Sequence, residues 1–145
     1  MNSAGRALRW LLLSLLLLAG FGQRGYSQQI PEKLPDVIFL LIGQSNMAGR
    51  AALADGDDKP LPNIMLLNEK HAWIPATNPL NRFASDRKKL SMQRIGPGDG
   101  FARRLNQALP GKQIGLIVNA RGGSSINEWA KGKPLYDNTI KRVQA

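Results

Sequence analysis

Residues 37–49 read Val-Ile-Phe-Leu-Leu-Ile-Gly-Gln-Ser-Asn-Met-Ala-Gly. Six apolar residues, 37–42, run without interruption into Gly43 and then into a polar turn that carries one hydroxyl, Ser45. An unbroken apolar run of this length predicts a strand buried on both faces, as in a parallel sheet. Gly43 permits a sharp turn at the strand's end. Ligands of open α/β sheets bind outside the carboxyl ends of the strands, so Ser45 is expected where chemistry usually happens.

Working outward, residues 46–54 open a helix with the Ser45 turn at its N-terminus. Residues 55–60 form a polar loop, and 64–67 suit a short strand. From 68 to 96 the pattern is weak, with Pro75 and Pro79 in it. That stretch reads as a long surface excursion rimming a site, because long irregular loops are uncommon unless functional. Phe101, Leu105, Ala108 and Leu109 make one apolar stripe, giving a helix over 99–109. Asp99 suits its N-cap and Pro110-Gly111 its stop. Residues 114–118 form the next strand, ending in Ala120-Arg-Gly-Gly-Ser-Ser125, and Tyr136, Ile140 and Val143 keep helical spacing to the end. The alternation predicts a doubly wound α/β sheet with right-handed crossovers and both Gly/Ser turns on one edge.

The N-terminus is set apart from this domain. Arg6 and Arg9 precede the apolar stretch 10–19, and small and polar residues fill 20–27. That is the layout of a cleaved secretory signal over 1–27, followed by an extended lead-in over 28–36. A spanning helix needs roughly 20 apolar residues, so export to the periplasm or exterior is expected, without stable membrane association after cleavage. The competing reading keeps the run as an anchor on a basic adaptor.

The net charge of +10 invites a nucleic-acid reading. Arg6, Arg9 and Arg24 fall in the leader, however, and the remaining charge is scattered apart from Arg87-Lys88-Lys89. No reader motif or aromatic platform accompanies it, so no nucleic-acid partner is expected. The chain has no cysteine and one histidine, His71, which argues against disulfides and a zinc site. No metal and no cofactor are expected.

A serine nucleophile needs a base within reach and donors for the oxyanion that forms. The Ser45 turn offers its own N–H, and the Gly122-Gly123 turn offers another, since glycine lets backbone approach a ligand closely. Met47 stands where the nucleophile elbow of α/β-hydrolases requires glycine. Residues alone leave alternatives open. Ser45 reads equally as a helix cap, and Gly122-Gly123-Ser124-Ser125 as a plain turn or a phosphate nest. His71 lies beside a loop, and Asp55, Asp57, Asp58 and Asp99 have no evident histidine to orient.

Gly43-Gln-Ser-Asn-Met-Ala-Gly-Arg50 resembles the first block of the sialate O-acetylesterase-like carbohydrate esterases, hydrolases of the SGNH type. Gly96-Pro97 followed by Phe101-Ala102 is similar to that family's next block. Ala120-Arg-Gly-Gly-Ser-Ser-Ile126 with Trp129 resembles the glycine block after its third strand. Trp73 and Asn78-Pro79-Leu80 fit the stretch between. The resemblance implies a flavodoxin-like three-layer α/β/α sandwich with a parallel sheet, incomplete at the C-terminus, and an acetylated carbohydrate substrate. It makes Ser45 the nucleophile, with the oxyanion held by N–H groups of Ser45 and Gly123 or Gly122. Gln44, Asn46, Arg121 and Ser124 would neighbour the site.

The family's later His-Gln-Gly-Glu and Asp-x-x-His segments have no counterpart here. Residues 37–145 are therefore expected to be the N-terminal part of an esterase domain, inactive alone and prone to aggregate through an exposed sheet edge. A non-catalytic carbohydrate-binding or pseudoenzyme module of the same fold is the rival reading.

Overall fold

The computed structural model describes residues 33–145. The expected signal over 1–27 and the first part of the lead-in lie outside them. Strand β1 (Val37–Gly43) leads into a one-turn helix, α1 (Ser45–Ala48). Strands β2 (Ile64–Leu67) and β3 (Trp73–Pro75) form a hairpin. Short 3₁₀ turns at Leu80–Phe83 and Leu90–Met92 precede α2 (Pro97–Ala108). Strand β4 (Ile114–Ala120), a 3₁₀ turn at Ile126–Trp129 and α3 (Pro134–Gln144) complete the chain.

The sheet order is β1-β4-β2-β3, with β4 parallel to both β1 and β2 and β3 antiparallel at the far edge. β4 is buried along its whole length, the environment its continuous Ile-Gly-Leu-Ile-Val run demands. Ile114, Leu116 and Val118 face one layer, where Leu66, Leu80 and Ala102 of α2 close the main core. Ile117 faces the other, with Met65, Leu67 and Trp73. Gly115 makes room there, since a Cβ would stand 2.8 Å from the Trp73 ring. Asn119, on the Ile117 side, donates to Thr139 Oγ1 of α3 (2.6 Å). Helices thus cover both faces, and the protein is an α/β/α sandwich around a mostly parallel sheet.

Four expectations need correction. β1 is not buried on both faces. It is an edge strand whose Val37, Phe39 and Leu41 join the core, while Ile38, Leu40 and Ile42 are 47, 40 and 44% exposed. An apolar run alone does not reveal which neighbours a strand acquires. α1 ends at Ala48 rather than running to 54, because Gly49 takes φ +89 and pairs its N–H with Ser45 O and Asn46 O. α2 begins at Pro97 with Gly96 as N-cap, and Asp99 sits inside its first turn. The stretch 68–96 is no open excursion. It supplies β3 and buries Leu80, Asn81, Ala84 and Gln93.

Candidate active site

Two turns leave the sheet side by side. Gly43 pairs with Ala120, and Arg121 N–H donates to Gly43 O (2.9 Å), so the β1 and β4 turns begin in register. The first leads to α1, which packs with α2 on one face, and the second leads to α3 on the other. Adjacent parallel strands that send their connections to opposite faces create the crevice where α/β proteins bind ligands.

Ser45 is half-buried at this crevice. Its N–H and its Oγ both donate to Gln44 Oε1, at 3.0 and 2.7 Å. Opposite stands Gly122, buried, where a Cβ would lie 3.8 Å from Ser45 Cα and 2.5 Å from Arg50 Nη2. A side chain at 122 would therefore displace the Arg50 guanidinium, while the approach to Ser45 is ordinary van der Waals contact. Gly123 is exposed, takes φ +81 and faces Lys88 Nζ. Neither the Gly122 nor the Gly123 N–H donates to another described residue. Two unengaged backbone donors thus lie in the bend beside the Ser45 turn.

The bend is held from several sides. Buried Asn81 donates from Nδ2 to Ala120 O (3.0 Å) and to Gln93 Oε1 (2.7 Å), and its Oδ1 accepts from Ala120 N (2.8 Å). Arg121 Nη1 donates to Asp86 O (2.8 Å). Ser124 Oγ donates to Arg121 O (2.8 Å) and accepts from Trp129 Nε1 (3.0 Å), so this hydroxyl braces the turn. Ser125 N–H donates to Glu128 Oε2 (2.6 Å), and this bond, with one from the Ser125 hydroxyl, holds the Glu128 carboxyl below its usual value. Asn46 is exposed and contributes its carbonyl to the Gly49 N–H.

Asn81 has no local sequence signal. It is a buried amide in a stretch without periodicity, and only the tertiary pairing reveals it. The same holds for the backing of the serine turn. A Cβ on Gly49 would collide with the Arg94 carbonyl, and one on Gly96 would lie 2.7 Å from Met47 O. The Gln-Ser-Asn-Met-Ala-Gly and Gly-Pro blocks therefore cross backbone to backbone, tied by the Ala51–Ile95 bridge.

No acid–base pair stands beside Ser45 among the described residues. His71 is exposed on the β2–β3 turn, with β4 and β2 between it and β1. Burial pushes the Asp99 carboxyl up, but hydrogen bonds from Arg103 and Asn78 outweigh this and hold it low. Asp99 is thus already engaged within its own helix turn. Among the described residues no cluster of His, Asp or Glu is arranged to hold a metal ion, and no helix is long and apolar enough to cross a membrane.

Comparison with known proteins agrees with this geometry. A protein of Arabidopsis thaliana named as a probable carbohydrate esterase is 34% identical over 126 residues, covering 76% of this chain and 47% of that protein. Its crystal structure superimposes with a TM-score of 0.67 at 31% identity, covering 77% of this chain and 52% of the other. The chain spans about half the length of this relative. The sequence model of the carbohydrate esterase, sialic acid-specific acetylesterase family matches residues 35–145. A hydroxyl at a β1 turn, a glycine bend brought beside it by β4 and this match together place the chain in that family of carbohydrate esterases.

Proposed function

We propose that this chain carries the nucleophile and two oxyanion donors of an exported serine esterase that removes acetyl groups from sugar hydroxyls. Ser45 Oγ attacks the acetyl carbonyl carbon, and its proton passes to a base. The N–H groups of Ser45 and of Gly123 or Gly122 bind the oxygen that becomes negative. The ester C–O bond then breaks, the sugar oxygen takes the proton, and water releases acetate from the acyl-serine. The observation that carries this reading is the closeness of the bend to the serine turn, where a Cβ added at Gly122 would lie 3.8 Å from Ser45 Cα, with two N–H groups of the bend left unengaged. Gln44 Oε1 occupies the Ser45 N–H in the resting arrangement and must yield it to the oxyanion.

The reading requires an acid and a base from outside these 145 residues, since the single histidine lies across the sheet. Without them, an oxyanion hole and binding alone supply about 10³–10⁴-fold catalysis over water. The 145-residue chain is therefore expected to show no Ser45-dependent turnover of an aryl acetate. Supplied with an acid and a base by a further segment, the chain is expected to hydrolyse acetylated sugars and to lose at least about 10³-fold in rate on Ser45→Ala. Activity restored in that way that survives Ser45→Ala would overturn the assignment. Ser45-dependent turnover by the short chain would overturn the need for an outside base.

A further inference from the structure

A second cavity, of about 630 Å³, opens between the β2–β3 turn, the chain after the first 3₁₀ turn and the last turns of α3. Its lining includes Arg82, Arg87 and Arg142, with Glu69 and His71 at the hairpin, and none of the Ser45 or Gly122 residues. The volume is that of a small-molecule site. Its charge is unusual. Three guanidinium groups converge there against one carboxylate. Two ion pairs occur among the described residues, Lys33–Asp36 and Arg103–Asp99, and neither involves these arginines.

The arginines are tied to carbonyls instead. Arg142 donates from Nη2 to Leu67 O (2.9 Å) at the end of β2 and from Nη1 to Asn68 O (3.4 Å), Arg87 Nε donates to Arg82 O (2.6 Å), and Arg82 to Thr77 O (2.8 Å). A neutral carbonyl orients a guanidinium without cancelling its charge. Arg142 is only 4% exposed, and the Nε atoms of both Arg142 and Arg82 are buried with no hydrogen-bond partner among the described residues. Burial lowers the proton affinity of both groups, with Glu69 acting weakly the other way. A buried cation without a counter-charge costs several kcal/mol, and an oxyanion offering paired acceptors to forked donors recovers it.

We propose that this cavity binds an oxyanion, the carboxylate of a sugar acid or a phosphate, at a site separate from the Ser45 crevice. Arg82 and Arg87, which are partly exposed, supply the N–H donors, Arg142 adds its charge from beneath, and the cavity receives the remainder of the ligand. Glu69 opposes binding and sets its strength.

Isothermal titration calorimetry on the full chain at low salt tests this, with inorganic phosphate, glucuronate and neutral glucose as probes. The expected result is saturable one-site binding of at least one anion and none of glucose. Arg87→Gln should weaken it about tenfold, the loss of one charge-assisted contact. Glu69→Gln, at an exposed position where folding is not at risk, should tighten it about threefold. Preference for glucuronate identifies a sugar-acid ligand, and preference for phosphate a phosphorylated one. No saturable heat with either anion, equal binding of glucose, or an affinity that Glu69→Gln leaves unchanged would overturn the proposal.

Discussion

The two turns that meet at the crevice are held in opposite ways. The β4 turn is braced over long range by Asn81 onto Ala120 and by Arg121 onto Asp86, with Trp129 onto Ser124 as a nearer brace. The hydroxyl turn after β1 binds its own neighbour, Gln44, an exposed side chain one residue away. The backbone beneath it is fixed by the Gly49–Gly96 crossing, but the polar atoms of Ser45 are not. The glycine bend is preorganised, whereas the Ser45 hydroxyl keeps a local, exchangeable partner. Such an arrangement is compatible with the role proposed for Ser45, since a rigid hydroxyl aimed at Gln44 would have to be re-aimed.

Substitutions can break or sharpen this contrast. Asn81→Leu strands the Ala120 N–H and C=O and the Gln93 amide in the interior, and should cost roughly 3–5 kcal/mol in chemical denaturation. Gly49→Ala forces a Cβ into the Arg94 carbonyl at φ +89 and should cost roughly 2–3 kcal/mol, testing the backbone under the serine. Ser124→Ala removes one brace, with an expected loss of about 1 kcal/mol and a shift in Trp129 fluorescence as its indole N–H loses its acceptor. Gln44→Ala should cost only about 0.5 kcal/mol, the small end of helix-cap effects. A cost for Gln44→Ala that matches Asn81→Leu would erase the distinction between the turns.

The smallest effect concerns pH. The Glu128 carboxyl titrates below its ordinary value when folded, because Ser125 donates to its charged form. Its contribution to stability is thus present above the unfolded value of 4.5 and lost as pH falls through the folded one. The acid limb of a wild-type stability profile should flatten in Glu128→Gln, and an unchanged limb would remove this brace from the account.

Much of the fold is legible in the sequence because its signals are local. The apolar runs at 37–42, 64–67 and 114–118 become β1, β2 and β4, and the Phe101–Leu105 stripe becomes α2. Ser45 and the diglycine bend are legible as small residues following strands. What escapes is set by pairing between distant segments. The exposure of Ile38, Leu40 and Ile42 depends on β1 lying at the sheet edge. β3 exists because Trp73 finds β2 and the space over Gly115. Asn81 matters only once Ala120 comes within 3.0 Å of it. No window of neighbouring residues encodes any of these.

The crossing of Gly49 and Gly96 joins the serine loop to the start of α2 through main chain alone, with the Ala51–Ile95 bridge beside it. Heat that peels α2 from the sheet must therefore also release the loop. Loss of helical circular dichroism and the onset of proteolytic cleavage in the loop should share one midpoint, so that no temperature yields a folded helix layer with a collapsed serine loop.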